Sequence, residues 1–303
     1  MTQYLKILES PANPHPVERG WHAGLKLGLQ VSGERTVLKT VDHIGPLRVQ
    51  RPFYPEGAPC HVYLLHPPGG MVGGDSLAIA LKLEQRAHSL VTTPAAGKLY
   101  RVANGVEPQY QGVKARLAEG AVLEWLPQET IIFDGARGEL LSRFDLAGDA
   151  VLIGWDIVCL GRRASGETFE SGEVTQKIQV YRDDKPVFID RVRFEGGGTV
   201  LGQPWGMNTK TVSGTLFVSV LGDVPLSVDE FRAALFETVA EDTPERHHWG
   251  LSVKGGGRSG QLLLVRYLGD SAERCRQGFE RIWGLLRPAL LSRPVARPRI
   301  WNT

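Results

Sequence analysis

The sequence predicts a mainly β protein, a domain of stacked or superhelical β-sheet with two α-helices near its C-terminus. Apolar residues alternate with other residues in several stretches, as in Leu77, Ile79 and Leu81, and a period of two is typical of half-buried strands. A unit containing Leu and Ala recurs between residues 77 and 163. Helical spacing of apolar residues is found only late in the chain, after residue 227.

The recurring unit places a Leu four positions before an Ala that opens a new apolar run. Its copies are separated by 34 and then 29 residues, and each precedes a predicted strand. The three copies are Leu83 with Ala87, Leu117 with Ala121, and Leu146 with Ala150. This spacing suits successive coils of sheet stacked on one another. Ordinary hairpins in a β-sandwich produce a similar sequence pattern, so stacked coils and a sandwich both remain possible arrangements.

The first predicted helix begins with a capping box. Ser227 is the N-cap and Glu230 stands at the reciprocal position, which satisfies backbone donors at a helix start. Phe231, Leu235 and Val239 then follow at helical spacing.

The second predicted helix opens at residues 270–273. Its apolar positions fall on one face, and Pro288 is expected to stop it. These positions are Cys275, Phe279, Ile282, Trp283 and Leu286. The remaining segment, 288–303, is basic and broken by proline, and it is predicted to be an extended tail.

No change in composition divides the chain, so residues 1–303 are expected to form one domain. Residues 1–20 contain Pro11, Pro14 and Pro16 and are predicted to be a flexible arm.

Composition and charge exclude several classes of function. The 303 residues include 35 basic and 33 acidic side chains, a net charge of +2, so no global field favours nucleic acid or membrane. Neither a signal peptide nor a transmembrane span is recognisable. The three cysteines, Cys60, Cys159 and Cys275, are far apart and indicate free thiols in a reducing compartment. A cytoplasmic location is therefore expected.

A glycine-rich loop, residues 66–75, lies between two predicted strands. It resembles a phosphate-binding loop, but Asp75 follows its last glycine, no Lys is present and a strand follows, so nucleotide binding is disfavoured. Two interpretations stay open. The loop is a tight corner between strands, or it places Asp75 at an interface or in a polar passage.

Carboxylates within apolar β runs are the next candidates for function. Glu129 lies close to Glu124, Asp134 follows Ile131 to Phe133, and Asp156 interrupts a run of apolar residues. A buried carboxylate has to be paired, hydrated or bound to metal. Oxygen ligands hold borderline divalent ions more weakly than thiolate or imidazole does, so the set favours passage of a metal over its storage. The alternative is salt bridging with Arg137, Arg162 or Arg163.

Four motifs together resemble the UreD (UreH) family of urease accessory proteins. They are His66–Asp75, Thr92–Arg101, Glu124–Ala136 and Cys159–Arg162. The final Arg299-Ile300-Trp301 fits as well. The motifs occur in the order of the family and are dense between residues 60 and 170, with a thinner likeness outside that span.

The resemblance implies a chaperone for nickel insertion and not an enzyme. Proteins of this family bind the urease structural subunits and the helical partner UreF, which recruits the GTPase UreG. The implied cargo is transient Ni²⁺, with no tightly bound cofactor, and the implied fold is a β-rich superhelix.

The resemblance also implies residues for a nickel passage through the core. Asp75 and Asp156 are its first candidates, with Glu129 and Asp134 behind them. Gly97 stands where relatives carry a hydroxyl residue, which puts a ligand role there in doubt. The alternative, from a different class, is a hydrolase that uses Asp75 with a His or Lys base in the glycine-rich cleft.

Overall fold

The computed structural model describes residues 20–236, 247–256 and 260–302. It consists of two large sheets packed face to face, with helices on the outer side of the second sheet. The predicted arm, except for Gly20, lies outside the described residues, as do Val239 of the first predicted helix and Thr303 of the tail.

Seventeen strands are present in the described chain. In chain order they are β1 (His22–Ser32), β2 (Arg35–Ile44), β3 (Arg48–Val49), β4 (Cys60–Leu65), β5 (Ser76–Leu83), β6 (His88–Thr92), β7 (Gly97–Leu99), β8 (Gln109–Leu117), β9 (Val122–Trp125), β10 (Thr130–Ile132), β11 (Arg137–Leu146), β12 (Val151–Leu160), β13 (Glu173–Arg182), β14 (Lys185–Glu195), β15 (Val212–Val220), β16 (Trp249–Gly255) and β17 (Gln261–Gly269).

The first sheet has the spatial order β14-β13-β11-β8-β5-β1-β2. Its five inner strands are parallel, and β2 and β14 close the two edges as antiparallel hairpins. In the second sheet β4, β6, β9 and β12 are parallel, and β15, β17 and β16 continue it in antiparallel order. The short strand β10 pairs with β7 on one side and with the end of β12 on the other, which forms a third face.

Successive coils of the chain visit the first sheet, then the second, then the third face. The recurring Leu and Ala residues mark the corner between the first two. Leu83, Leu117 and Leu146 align in register across β5, β8 and β11, and the Ala that follows each of them is fully buried. One coil bonds to the next at this corner, since the N–H of Val122 donates to the Ala87 carbonyl at 2.8 Å. The prediction of stacked coils is confirmed.

Three apolar cores fill the spaces between these layers, and the third of them lies beside β7 and β10, with Leu99 and Ile132. The first lies between the two sheets and includes Leu27, Leu81 and Phe144. The second lies between the second sheet and the helices, and includes Trp155 and Phe279. Parallel strands that are covered on both faces need such continuous apolar runs.

Three α-helices are described: α1 (Thr199–Gly202), α2 (Val228–Phe236) and α3 (Ala272–Leu291). The helix α2 has the predicted capping box, because the Ser227 N–H donates to Glu230 Oε2 at 2.7 Å and the Glu230 N–H donates to Ser227 Oγ at 3.2 Å. Among the described residues, no helix combines the length and hydrophobicity that a membrane crossing requires.

The prediction that Pro288 stops the second helix is wrong. The helix α3 continues through Pro288 to Leu291, although proline inside a helix removes a backbone hydrogen bond at a cost of about 3 kcal/mol. Tertiary contacts offset this cost: Leu290 and Leu291 pack against the second core, and Arg287 is held by buried ion pairs. The extended tail therefore begins only after Leu291.

A buried network of charges fastens α3 to the second sheet. Arg287 is fully buried and donates to both oxygens of Glu124, at 2.8 and 3.0 Å, and to Glu56 Oε1 at 2.7 Å. His88 Nε2 lies 2.7 Å from Glu124 Oε1, and the Trp283 indole donates to Glu124 Oε2 at 2.6 Å. Burial raises the pKa of Glu124, but bonds from His88 and Arg287 outweigh it and lower the pKa to about 2.

Replacing Arg287→Ala is expected to destabilise the protein by roughly 3 to 5 kcal/mol, because it leaves two buried carboxylates without their cation. Chemical unfolding measures this loss. The matched change Arg193→Ala removes an exposed pair with Glu173 and should leave the unfolding midpoint nearly unchanged. Arg287→Lys keeps the charge but loses the planar guanidinium group, so its unfolding midpoint should lie between those of the two alanine variants. Equal midpoints for all the variants would contradict this assignment.

Candidate functional site

A cavity of about 180 Å³ lies between the two sheets at the end where the glycine-rich loop crosses. Its walls combine apolar side chains of the first core with polar side chains from both sheets. The polar side chains are His66, Thr93, Lys98, Gln111, Gln128, Thr130, Ser142 and Asp156. A cavity with this mixture of walls can hold water or a small polar solute.

Asp156 is the acidic residue of this lining among the described residues. It belongs to β12, where it interrupts an otherwise apolar strand. Its side chain is half-buried and faces the cavity. Burial raises the pKa of Asp156 to about 6, although bonds with the side chains of Gln176 and Ser142 partly oppose the shift.

The partners of Asp156 are neutral, which distinguishes it from Glu124. Ser142 on β11 and Gln176 on β13 reach it from the opposite sheet, so three oxygen-bearing side chains from three strands come together. An ionised carboxylate in such surroundings is costly unless a proton or a cation compensates it. The arrangement can therefore exchange a proton for a cation.

Two further residues of the cavity lining carry nitrogen-bearing side chains. His66 follows the end of β4, and Lys98 lies in β7. Burial lowers the pKa of His66, with opposition from the charge of Asp75, so its imidazole is neutral near pH 7. A neutral imidazole is a suitable ligand for a divalent transition metal.

Asp75 holds the glycine-rich loop in its shape. Its Oδ2 accepts from the Val72 N–H at 2.9 Å and its Oδ1 accepts from the Trp21 N–H at 2.8 Å. The loop is also packed closely, since a Cβ at Gly70 would lie 2.4 Å from the Tyr100 ring. Asp75 is buried and is not part of the cavity wall. The hydrolase alternative requires a free carboxylate here, whereas both oxygens are engaged by backbone donors.

Asp134 lies in a surface cleft with Arg101, Arg162 and Glu167. Its Oδ2 accepts from Arg101, and its Oδ1 accepts from the Ser171 N–H at 2.8 Å. Burial raises the pKa of Asp134, but the bonds from Ser171 outweigh it, so the pKa lies below its usual value.

Glu129 is half-buried beside the second core. Its charge adds to burial in raising the pKa of the Cys159 and Cys275 thiols. Of the four predicted residues, only Asp156 lines the cavity; Asp75, Asp134 and Glu129 occupy three other environments. In the part of the chain that the structure describes, no three His, Cys, Asp or Glu side chains converge on a point that could hold a metal.

The sequence reasoning missed the polar neighbours of Asp156. Gln111, Ser142 and Gln176 occupy positions on β8, β11 and β13 that alternate with outward residues and therefore face the interior. Polar residues at inward positions of a half-buried strand were the available signal. His66 gave no such signal, since its place depends on where β4 ends.

Fold and site together define a protein of stacked β coils, with a polar cavity between its two large sheets and a C-terminal helix fastened to the second sheet. Comparison with known protein families shows which family has this fold and sequence. A model of the UreD urease accessory protein matches residues 22–302. The chain belongs to the UreD family of urease accessory proteins, and the resemblance drawn from the motifs is confirmed.

Several relatives that carry the name urease accessory protein UreD match almost the whole chain. The relative from Saccharophagus degradans is 46% identical over 98% of both chains. The one from Dechloromonas aromatica is 45% identical over the full length of both, and the one from an Azoarcus species is 42% identical over 95% of this chain and 96% of its own. The family is named for an accessory role and not for a catalysed reaction.

The raised pKa of Asp156 has a consequence for stability that can be measured. A carboxyl whose pKa is about 6 in the folded state binds its proton more tightly than in the unfolded chain, so its stabilising effect is complete at low pH and is lost as pH rises through 6. Relative to Asp156→Asn, the wild type should lose roughly 2 kcal/mol of unfolding free energy between pH 4 and pH 7.

Unfolding curves at several pH values measure this difference. The control is the variant Glu139→Gln, at an exposed position of β11. The difference in unfolding free energy between it and the wild type should change much less with pH. A pH-independent difference between wild type and Asp156→Asn would show that the carboxyl is freely solvated.

Proposed function

We propose that this chain is a scaffold in urease maturation that conducts Ni²⁺ toward the urease active site through its internal cavity. The membership of the UreD family supports the role in maturation. The observation that carries the nickel proposal is the position of Asp156, which faces a polar cavity between the sheets and forms no ion pair within the described part of the chain.

Oxygen donors suit a passing ion. The carboxylate of Asp156, the amide of Gln176 and the hydroxyl of Ser142 bind borderline divalent metals more weakly than thiolates or several imidazoles would. Because these oxygen ligands bind weakly, the ion can be released. His66, which also lines the cavity, supplies a neutral nitrogen as a further ligand. Binding of Ni²⁺ would displace the proton that Asp156 holds below about pH 6.

Asp75, Asp134 and Glu129 remain predictions for lining the passage. Their partners favour supporting roles: Asp75 fixes the loop that crosses the cavity end, and Asp134 is neutralised by Arg101. Replacing Asp75 would change the shape of that loop and would thereby affect the passage of the ion.

The proposed partners are the urease structural subunits and UreF, with UreG recruited through UreF, in the cytoplasm. Exposed apolar side chains at Trp21, Val72 and Trp205 support docking to other proteins; their exposed fractions are 62%, 53% and 72%. Large apolar side chains in such positions commonly mark protein contacts. The backbone N–H groups of Trp21 and Val72 both donate to the Asp75 carboxylate, so these two residues lie close together in the chain fold.

The test is co-expression of the chain with the urease subunits and the other accessory proteins. Asp156→Ala is expected to leave the complex with urease and UreF intact, while the nickel content of urease and its activity fall at least tenfold. Asp75→Ala is expected to lower activation as well. Glu139→Gln is the control and should match the wild type.

The outcomes separate the parts of the proposal. Full activation by Asp156→Ala would contradict conduction through the cavity, while the maturation role would stand. Failure of the wild-type chain to bind either apo-urease or UreF would contradict the scaffold role.

A further inference from the structure

The outer face of the first sheet carries a groove of about 270 Å³. Four basic side chains from β1, β5 and β8 line it, and Gly28 and Ala80 form part of its floor. The basic side chains are Lys26, Lys82, Lys114 and Arg116. Asp42, on the edge strand β2, is the acidic residue of this lining among the described residues.

The parallel register arranges these residues in two rows that cross three strands. One row is Lys26, Ala80 and Lys114, and the next is Gly28, Lys82 and Arg116. Strands lie about 4.8 Å apart and rows two residues apart are about 6.6 Å apart. Cations therefore stand on both sides of the small residue Ala80, about 10 Å from one another at their Cα atoms.

Among the described residues, ion pairs neutralise only part of this positive charge. Lys82 pairs with Glu84, Nζ to Oε1, at 2.6 Å. None of the ion pairs formed within the described residues includes Lys26, Lys114 or Arg116. Asp42 stands opposite Lys26 in the β1–β2 register, so one carboxylate faces four basic side chains in the groove. Like charges held together on a sheet face are unfavourable, and an anionic partner would relieve the remaining repulsion.

We propose that this groove, which we call the basic groove, binds an extended acidic segment of a partner protein with carboxylates at alternate positions. Alternate residues of an extended chain point to the same side about 6.6 Å apart, which equals the separation of the two rows. One carboxylate then lies over Ala80 between Lys26 and Lys114, and the next lies over Gly28 within reach of Lys82.

The geometry favours a polypeptide over a single phosphate. Alternate side chains of an extended segment match the spacing of the two rows along the strands, about 6.6 Å, and one tetrahedral anion presents no such repeat. Gly28 and Ala80 leave the floor open for main-chain approach. The basic groove lies on the outer face of the sheet, away from the cavity, so this binding is independent of nickel passage.

The experiment uses a fluorescein-labelled decapeptide of alternating Glu and Thr residues, titrated with the full chain and followed by fluorescence anisotropy. The double variant Lys26→Thr/Lys114→Thr is expected to weaken binding at least tenfold. Threonine suits strand positions, and circular dichroism checks that the fold is kept. The control Lys185→Thr/Lys254→Thr removes the same charge from exposed positions elsewhere and should weaken binding less than twofold.

Two further arms replace the peptide by inorganic phosphate and by phosphatidylserine vesicles. The proposal is supported if the peptide binds, if its affinity falls with rising salt, and if only the groove variant weakens it. It is overturned if the peptide does not bind, if both double variants weaken it equally, or if the groove variant affects phosphate or vesicles but not the peptide.

Discussion

The parallel register between successive coils is the constraint on which this structure depends. It aligns Leu83, Leu117 and Leu146 at the end of their strands and brings side chains from distant parts of the sequence to one level of the stack. Asp156, Ser142 and Gln176 meet for this reason. A one-residue slip in any of these strands would turn its inward side chains outward, so the fold and the cavity are determined by the same pairing.

Two buried carboxylates in the same domain show how surroundings decide the role of an acid. Glu124 receives a guanidinium, an imidazole and an indole donor, and it stays ionised to a pKa of about 2. Its charge fastens α3 to the sheet. Asp156 has only neutral partners and a cavity before it. It holds a proton at mildly acidic pH and is available for a cation.

Much of the fold could be predicted from local patterns. Alternation and the recurring Leu and Ala identified the coils, and the capping box located α2. Pro288 misled the prediction for α3, because its penalty is overcome by contacts with Glu124 on β9 and Glu56 in the loop before β4, which are distant in sequence. Arg287 and its ion pairs depend on those same distant contacts, so no local pattern could reveal them.

The site was predictable only in part. Asp156 could be found because it interrupts an apolar strand, but the same criterion also selected Asp134, whose partner Arg101 belongs to another coil. Burial alone does not distinguish a compensated acid from an uncompensated one. The distinction requires knowing which coils are neighbours, and that follows from the register and not from spacing along the chain.

The most direct test of the central claim is a crystal of this chain soaked in Ni²⁺ and measured at the nickel absorption edge. The account predicts an anomalous peak inside the cavity, coordinated by a carboxylate oxygen of Asp156 and absent from Asp156→Asn. Anomalous peaks confined to surface histidines, with none in the cavity, would contradict it.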